Sequence, residues 1–274
     1  MKTRPAYRPS AHQPLRSLAL IALLSAGAAT ADTTVSVGID YATGDYGGSE
    51  NTDTLSIPVG IKYETGAWTL RASLPYVRAE GIYNRDQAVV LDDNGKPDDN
   101  GGGAGAGGAT EKRTESGIGD LTVGAYYTLI NNPNGYGLDL GGKAKLATAD
   151  KKKTLITSGE NDYSIQADVY RSLPNVALFA TLGYTIKGEP SGVSYKNPLY
   201  TSLGFSMPLP SGHTAGAAWD YRQKITSGGD PVSELSAFYS IKLAANNKLQ
   251  LYLVKGLSDG SPEFGGGAVL SHRY

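Results

Sequence analysis

The residues able to carry acid–base chemistry are few and poorly placed for it. The chain of 274 residues contains three histidines and no cysteine. Thiolate nucleophiles, disulfides and zinc–thiolate sites are therefore excluded. A serine–histidine or aspartate–histidine site needs an imidazole base within reach of its nucleophile. His12 falls in an N-terminal segment that reads as a leader, His213 falls beside a short turn, and His272 stands two residues before the final Tyr274. None lies among the long polar segments, so no catalytic residues are expected and His213 and His272 read as structural.

A second candidate is the oxygen-rich run Asp92-Asp93-Asn94-Gly95-Lys96-Pro97-Asp98-Asp99-Asn100. Acid and amide oxygens at short spacing can hold calcium. The EF-hand spacing and its closing glutamate are missing, and the glycine run Gly101 to Gly108 has no Gly-Lys-Ser/Thr to make it a phosphate loop. The segment is expected to be a solvated low-complexity loop, with no metal site and no cofactor.

The elements that must position any site begin with the leader. Lys2, Arg4, Arg8 and Arg16 precede a short apolar core, Leu18 to Leu24, and Ala29-Thr30-Ala31 matches a small-residue cleavage site before Asp32. Residues 1–31 are expected to be a cleaved signal peptide and 32–274 a single domain. The whole chain has 25 basic and 26 acidic residues. Removing the four basic residues of the leader leaves 21 against 26, a net charge of −5. No basic surplus favours nucleic acid.

No later segment approaches the ~18 uninterrupted apolar residues of a helical span. Apolar and polar residues alternate instead. Val35, Val37, Ile39 and Tyr41 alternate with Ser36, Gly38 and Asp40. Trp68, Leu70, Ala72, Leu74 and Tyr76 alternate with Thr69, Arg71 and Ser73. The same period of two recurs to Phe264, Ala268 and Leu270, giving about twelve strands of roughly ten residues, the length of a tilted membrane strand.

Connections alternate in length. Short turns fall at Thr65-Gly66, Asn131 to Gly135, Leu173 to Asn175, Leu209 to Gly212 and Ala244 to Asn247. Longer polar loops fall at Thr43 to Thr52, Arg78 to Glu115, Asp150 to Glu160, Gly188 to Lys196, Thr226 to Pro231 and Ser258 to Pro262. The expected fold is all-β: a transmembrane antiparallel β-barrel with short periplasmic turns and longer extracellular loops, including the Gly/Asp-rich loop 78–115. A soluble sandwich needs apolar inward rows, whereas here they are polar.

Extending the strand phase inward gives the pore-lining candidates Lys62, Arg71, Asp120, Asp139, Lys143, Lys145, Asp168, Lys187, Asp220, Arg222, Glu234 and Lys242. Pairing the fifth and sixth strands symmetrically about the Asp150–Glu160 loop predicts Lys143 opposite Asp168, an ion pair near mid-barrel. These rows either line a pore or fill the interior. Lys151-Lys152-Lys153 reads as a solvated loop charge run or as a partner for lipopolysaccharide phosphates. The loop 78–115 is either surface-exposed or folded inward as a plug.

Two stretches carry a family resemblance. Ser116-Gly117-Ile118-Gly119-Asp120-Leu121 begins the expected fourth strand, and Asn161-Asp162-Tyr163-Ser164-Ile165-Gln166-Ala167-Asp168-Val169-Tyr170 forms the sixth. Within an alternating chain they resemble the outer-membrane transporter family named for the MetA pathway of phenol degradation. The resemblance implies a bacterial outer-membrane barrel passing hydrophobic or aromatic compounds, with no binding residues carried over. Leu270, His272 and Tyr274 resemble the terminal signal of such barrels, a strand edge that barrel-assembly machinery can pair with. The chain is thus expected to be a monomeric passive channel in contact with outer-membrane lipids, lipopolysaccharide and a small-molecule solute. The alternatives are a structural or surface-interaction barrel with a filled lumen and, further off, an outer-membrane hydrolase.

Overall fold

Alternation over the whole mature region leaves each strand with one apolar row, and in lipid only a closed ladder satisfies the backbone between such strands. The computed structural model describes residues 32–48, 50–82, 90–91, 97–98, 112–132 and 135–274. The predicted leader lies outside these described residues.

Twelve antiparallel strands form the barrel. β1 is Asp32–Gly44, β2 Thr52–Thr65 and β3 Trp68–Ile82. β4 runs as two segments, Lys112–Ile118 and Leu121–Asn131, that both pair with β3. β5 is Tyr136–Leu146, β6 Asp162–Ser172, β7 Ala177–Ile186 and β8 Leu199–Pro208. β9 is Thr214–Arg222, β10 Val232–Lys242, β11 Asn247–Gly256 and β12 Phe264–Arg273. Each strand pairs with its chain neighbour, and β1 closes the ring on β12 from Thr34↔Arg273 to Thr43↔Phe264. Closure removes every free edge.

Side chains divide as the alternation requires. Val37, Ile39, Leu70, Ile165, Leu182 and Leu253 are exposed on the outside, while Ser36, Thr54, Ser56, Ser73, Ser202 and Ser240 are buried inside. An apolar exterior over a polar interior is stable only against lipid. Outward aromatics sit near both strand ends. Tyr63, Trp68, Tyr127, Tyr136 and Tyr239 lie towards the short turns, and Tyr41, Tyr76, Tyr163, Tyr184 and Phe264 towards the long loops. Trp68 and Tyr127, directly opposed in register, meet edge to face with centroids 5.0 Å apart. Such belts suit the membrane–water interface.

Two sequence expectations are corrected. The loop expected over Arg78 to Glu115 begins later and ends earlier, because the β3–β4 ladder continues to Ile82↔Lys112. Beyond Tyr76 the outward row turns polar, with Arg78 and Lys112 each bridging Glu80 at 3.7 and 3.2 Å. The ladder rises past the apolar band, so the hydropathy signal stops before the strands do. For the same reason Ser116-Gly117-Ile118-Gly119-Asp120 lies within β4 rather than at its start. The central residues of that loop, 83–89, 92–96 and 99–111, fall outside the described residues, apart from a short ladder between Val90–Leu91 and Pro97–Asp98.

The second correction is to the β5–β6 register. Lys143 faces Ser164, Lys145 faces Asp162, and Asp168 faces Asp139, so Lys143 does not stand directly opposite Asp168 as predicted. The ladder ends at Leu146 because side chains take over the next backbone groups. Ala147 N–H donates to Asn161 Oδ1 at 2.7 Å and Ala149 N–H to Asp120 Oδ1 at 3.0 Å. The loop therefore starts three residues earlier than its polar composition suggests.

Candidate functional site: the lumen wall and an inward-folded loop

Asp120 reaches the interior through a bulge. Tyr76 pairs with Ile118 and Ser73 with Thr122, which leaves one extra residue on β4 between them. Gly119 N–H donates to Pro75 O at 2.8 Å, and Gly119 and Asp120 are both buried. A bulge of this kind re-aims a side chain. Here it delivers a carboxylate beside Lys145.

Four charged groups then form a closed network at the extracellular end. Lys145 Nζ lies 2.9 Å from Asp120 Oδ2 and 3.5 Å from Asp162 Oδ2, and Lys187 Nζ lies 2.8 Å from Asp162 Oδ2. All four side chains are under 10% exposed. Their remaining capacity is used by the loops. Thr157 Oγ1 donates to Asp120 Oδ2 at 2.7 Å, Gly188 N–H to Asp162 Oδ1 at 2.9 Å, and Lys145 Nζ to Glu160 O at 2.8 Å. Two ammonium groups against two carboxylates leave the cluster neutral. Buried charges are tolerated on these terms, paired and fully hydrogen-bonded.

The network anchors residues 147–161, which fold inward. Leu155 and Ile156 are completely buried against Val77 and Ala79, two inward-facing residues of β3. Leu155 N–H donates to Glu115 Oε2 at 2.8 Å. Lys153, expected as part of a solvated run, turns in and donates to Ser116 O, whereas Lys151 and Lys152 stay exposed. A further extracellular cluster joins Tyr195, Val193 and Ile225. Burial pushes the Tyr195 hydroxyl above its ordinary pKa, and the Lys187 charge opposes that rise.

The other predicted lining residues take distinct places. Lys62 and Arg71 face one another across β2 and β3 near the periplasmic end, Lys62 bridging Glu64 at 2.8 Å and Arg71 lying 5.0 Å over the Tyr126 ring. Lys143 lies 5.2 Å over the Tyr200 ring. Asp168 accepts from Thr181 Oγ1 at 2.6 Å and from Gln166 Nε2. Asp220 and Glu234 oppose each other across β9 and β10, with Arg222 at the end of β9. Lys242, exposed at the end of β10, leans over the turn at Gly212.

A set of residues not expected from the sequence makes up much of the wall. Six aromatic residues face inward, and each stands directly opposite a glycine: Tyr126↔Gly141, Tyr170↔Gly137, Tyr200↔Gly183, Phe179↔Gly204, Phe238↔Gly216 and Tyr252↔Gly267. A Cβ on Gly137 would sit 1.8 Å from the Tyr170 ring and one on Gly141 2.1 Å from the Tyr126 ring. The rings therefore lie down over the glycines. They cover bare backbone, a known use of aromatic–glycine pairs in sheets, and present ring faces along the wall.

The two histidines among the described residues, His213 and His272, stand at the periplasmic rim and have partners. His213 Nδ1 is 2.7 Å from Tyr239 Oη, and His272 Nδ1 is 2.7 Å from Asn247 Oδ1. Tyr274, whose ring meets that of His272 edge to face at 4.5 Å, donates its N–H to Thr33 O at 2.9 Å across the closing seam. Among the described residues no three His, Cys, Asp or Glu side chains converge as metal ligands.

Comparison with known proteins agrees with this architecture. An outer-membrane channel from Pseudomonas putida F1 superposes with a TM-score of 0.62 at 14% identity, over 90% of this chain and 97% of that one. The NanC porin gives 0.51 at 9% identity, over 86% and 97%, and the KdgM porin 0.50 at 10% identity, over 86% and 98%. No curated protein matches the sequence. Residues 82–274 match the family model described as "Putative MetA-pathway of phenol degradation". A closed twelve-stranded barrel with lipid-facing apolar rows, matched to that model over most of its length, places the chain in the MetA-pathway of phenol degradation family of outer-membrane barrels.

Proposed function

We propose that the protein is a passive outer-membrane channel for small hydrophobic or aromatic compounds. The observation that carries this reading is the wall of six inward rings, each laid over a glycine. Rings lying flat offer dispersion and edge-to-face contacts along the path of an aromatic solute. They also keep the lumen wider than upright rings would. The pore-lining role of the twelve charged candidates belongs to the same proposal, with Asp120, Lys145 and Lys187 acting through the loop they anchor. The barrel works as a monomer among outer-membrane lipids, with lipopolysaccharide phosphates meeting exposed Lys151 and Lys152. Leu270, His272 and Tyr274 act in assembly by offering the β12 edge before it closes on β1.

Reconstitution tests the channel. Folded protein in planar bilayers is expected to conduct, and liposomes carrying it are expected to admit benzyl alcohol faster than a sugar of similar mass. A folded barrel with neither conductance nor solute flux removes the proposal. One observation favours a second reading, a barrel with a filled mouth: the buried network and the loop it pins. Under that reading, deleting residues 150–158 is needed before any current appears. Flux through the intact barrel excludes it.

A further inference from the structure

The periplasmic end of the lumen carries an uneven charge distribution that the neutral network at the other end does not share. Five inward positions near the periplasmic ends of the adjacent strands β10 to β3, β1 excepted, are cationic: Lys242 on β10, Lys248 on β11, Arg273 on β12, Lys62 on β2 and Arg71 on β3. Only Asp32 on β1 and Glu64 on β2 oppose them there, leaving a surplus of three positive charges among the described residues of this arc. Asp32 pairs with Arg273, and Glu64 with Lys62.

The register makes the surplus more pointed. Lys62 stands directly opposite Arg71, and Lys242 directly opposite Lys248. Like charges directly opposed on one face destabilise a sheet. Two such pairs stand in this one arc, although Lys62 bridges Glu64 and Arg71 lies over the Tyr126 ring. Across the lumen the signs reverse: Asp139 and Asp168 oppose one another on β5 and β6, a residue or two further from the periplasmic end. Cations gathered on one wall and two opposed carboxylates on the other, with Lys143 further along β5, distribute charge unevenly around the lumen, and an uneven distribution of this kind steers charged solutes.

We infer that this arc is a binding and orienting site for the oxyanion of an amphiphilic solute, an aromatic or aliphatic carboxylate whose apolar body rests on the rings. The Tyr126 ring under Arg71 supplies apolar surface at the site itself. The carboxylate turns towards the β10–β3 wall and away from Asp139 and Asp168. Neutral aromatics pass without this step, and aromatic amines are disfavoured by it. The inference rests on the channel reading and sharpens its substrate class.

The experiment compares benzoate, benzyl alcohol and benzylamine fluxes, with reversal potentials under a salt gradient, in liposomes and bilayers carrying the full mature chain. Benzoate is expected to outrun benzylamine. Lys248→Gln and Lys62→Gln are each expected to lower the benzoate-to-alcohol flux ratio about two-fold, the effect of a unit charge at roughly 10 Å in water. Glu64→Gln is expected to raise it. Lys255→Gln, an outward charge over Phe264, is the control and leaves the ratio unchanged. Heat-modifiable mobility establishes folding for each variant, and the opposite sign of Glu64→Gln keeps the test intact should a lysine variant not fold. No flux of any solute overturns the channel itself. Flux with equal benzoate and benzylamine rates, or ratios that ignore Lys62, Lys248 and Glu64, overturns this inference alone.

Discussion

Replacing Lys145 by methionine isolates the link between the buried network and the loop. Methionine keeps the length of the lysine stem but removes an ammonium that contacts Asp120, Asp162 and the Glu160 carbonyl. Two carboxylates then share the single cation of Lys187. Removing one member of a buried pair costs about 3–5 kcal/mol. The inward hold of the loop is of similar size, since burying Leu155 and Ile156 contributes about 1.5–3 kcal/mol each. The deficit therefore matches the loop's apolar anchorage, while the β5–β6 ladder below Lys145 is untouched. The loop is expected to leave the lumen with the barrel intact. Trypsin reads this directly, because Lys153 is tied to Ser116 in the docked loop and free after release. Lys145→Met should become trypsin-sensitive at Lys153 and show larger single-channel conductance. Adding Asp120→Asn, which restores charge balance, should reverse much of both effects. If Lys145→Met matches the parent in cleavage and conductance, or if the double variant is worse than the single, the network does not hold the loop.

Other consequences are more local. Gly216→Val should cost about 1–3 kcal/mol from overpacking, because its Cβ would fall 2.3 Å from Phe205 O and 2.4 Å from the Phe238 ring; urea unfolding in detergent micelles measures the loss, and Ala218→Val serves as the comparison. Leu182→Arg, on an outward position 60% exposed to lipid, should cost about 2–4 kcal/mol if it lies near the bilayer midplane, whereas Thr181→Arg on the inward row should alter conductance more than stability. Deleting Tyr274 removes the Thr33 contact at the closing seam and should lower the fraction of heat-modifiable barrel in outer-membrane preparations without changing the amount of chain exported.

The outward rows were legible from the sequence because lipid imposes one rule on every strand. Val37, Ile39, Leu182 and Leu253 follow it, and strand number and turn asymmetry come with them. The inward side obeys rules that act between strands. Symmetric pairing about the Asp150–Glu160 loop puts Lys143 opposite Asp168, yet Asn161 and Asp120 take the backbone N–H groups of Ala147 and Ala149, the loop begins earlier and the register is offset. Asp120 faces inward only through a bulge that leaves no mark in the hydropathy. The inward rings did leave a mark. Tyr126-Tyr127, Leu178-Phe179, Phe238-Tyr239 and Leu251-Tyr252-Leu253 are runs of neighbouring apolar residues inside otherwise alternating strands. Reading them as inward aromatics requires the pairing register, since the matching glycine is always on a neighbouring strand, before or after.

Those pairs also explain how so narrow a barrel can hold large inward side chains. In a sheet the directly opposed Cβ atoms of an antiparallel pair stand about 5 Å apart, so two bulky inward residues at one rung would both have to project into the lumen. Glycine on one strand lets the ring from the other occupy its place on the wall. Six rungs use this device, which accounts for part of the high glycine content and leaves a surface of ring faces rather than a stack of upright rings. The charges complement it. At the extracellular mouth the buried cluster of two lysines and two aspartates carries no net charge. At the periplasmic end the charges do not cancel. A carboxylate carried on an apolar body therefore gains electrostatic energy only after its body is already seated against the rings, and that order of events favours inward passage of hydrophobic acids over ions that have no apolar surface to bury.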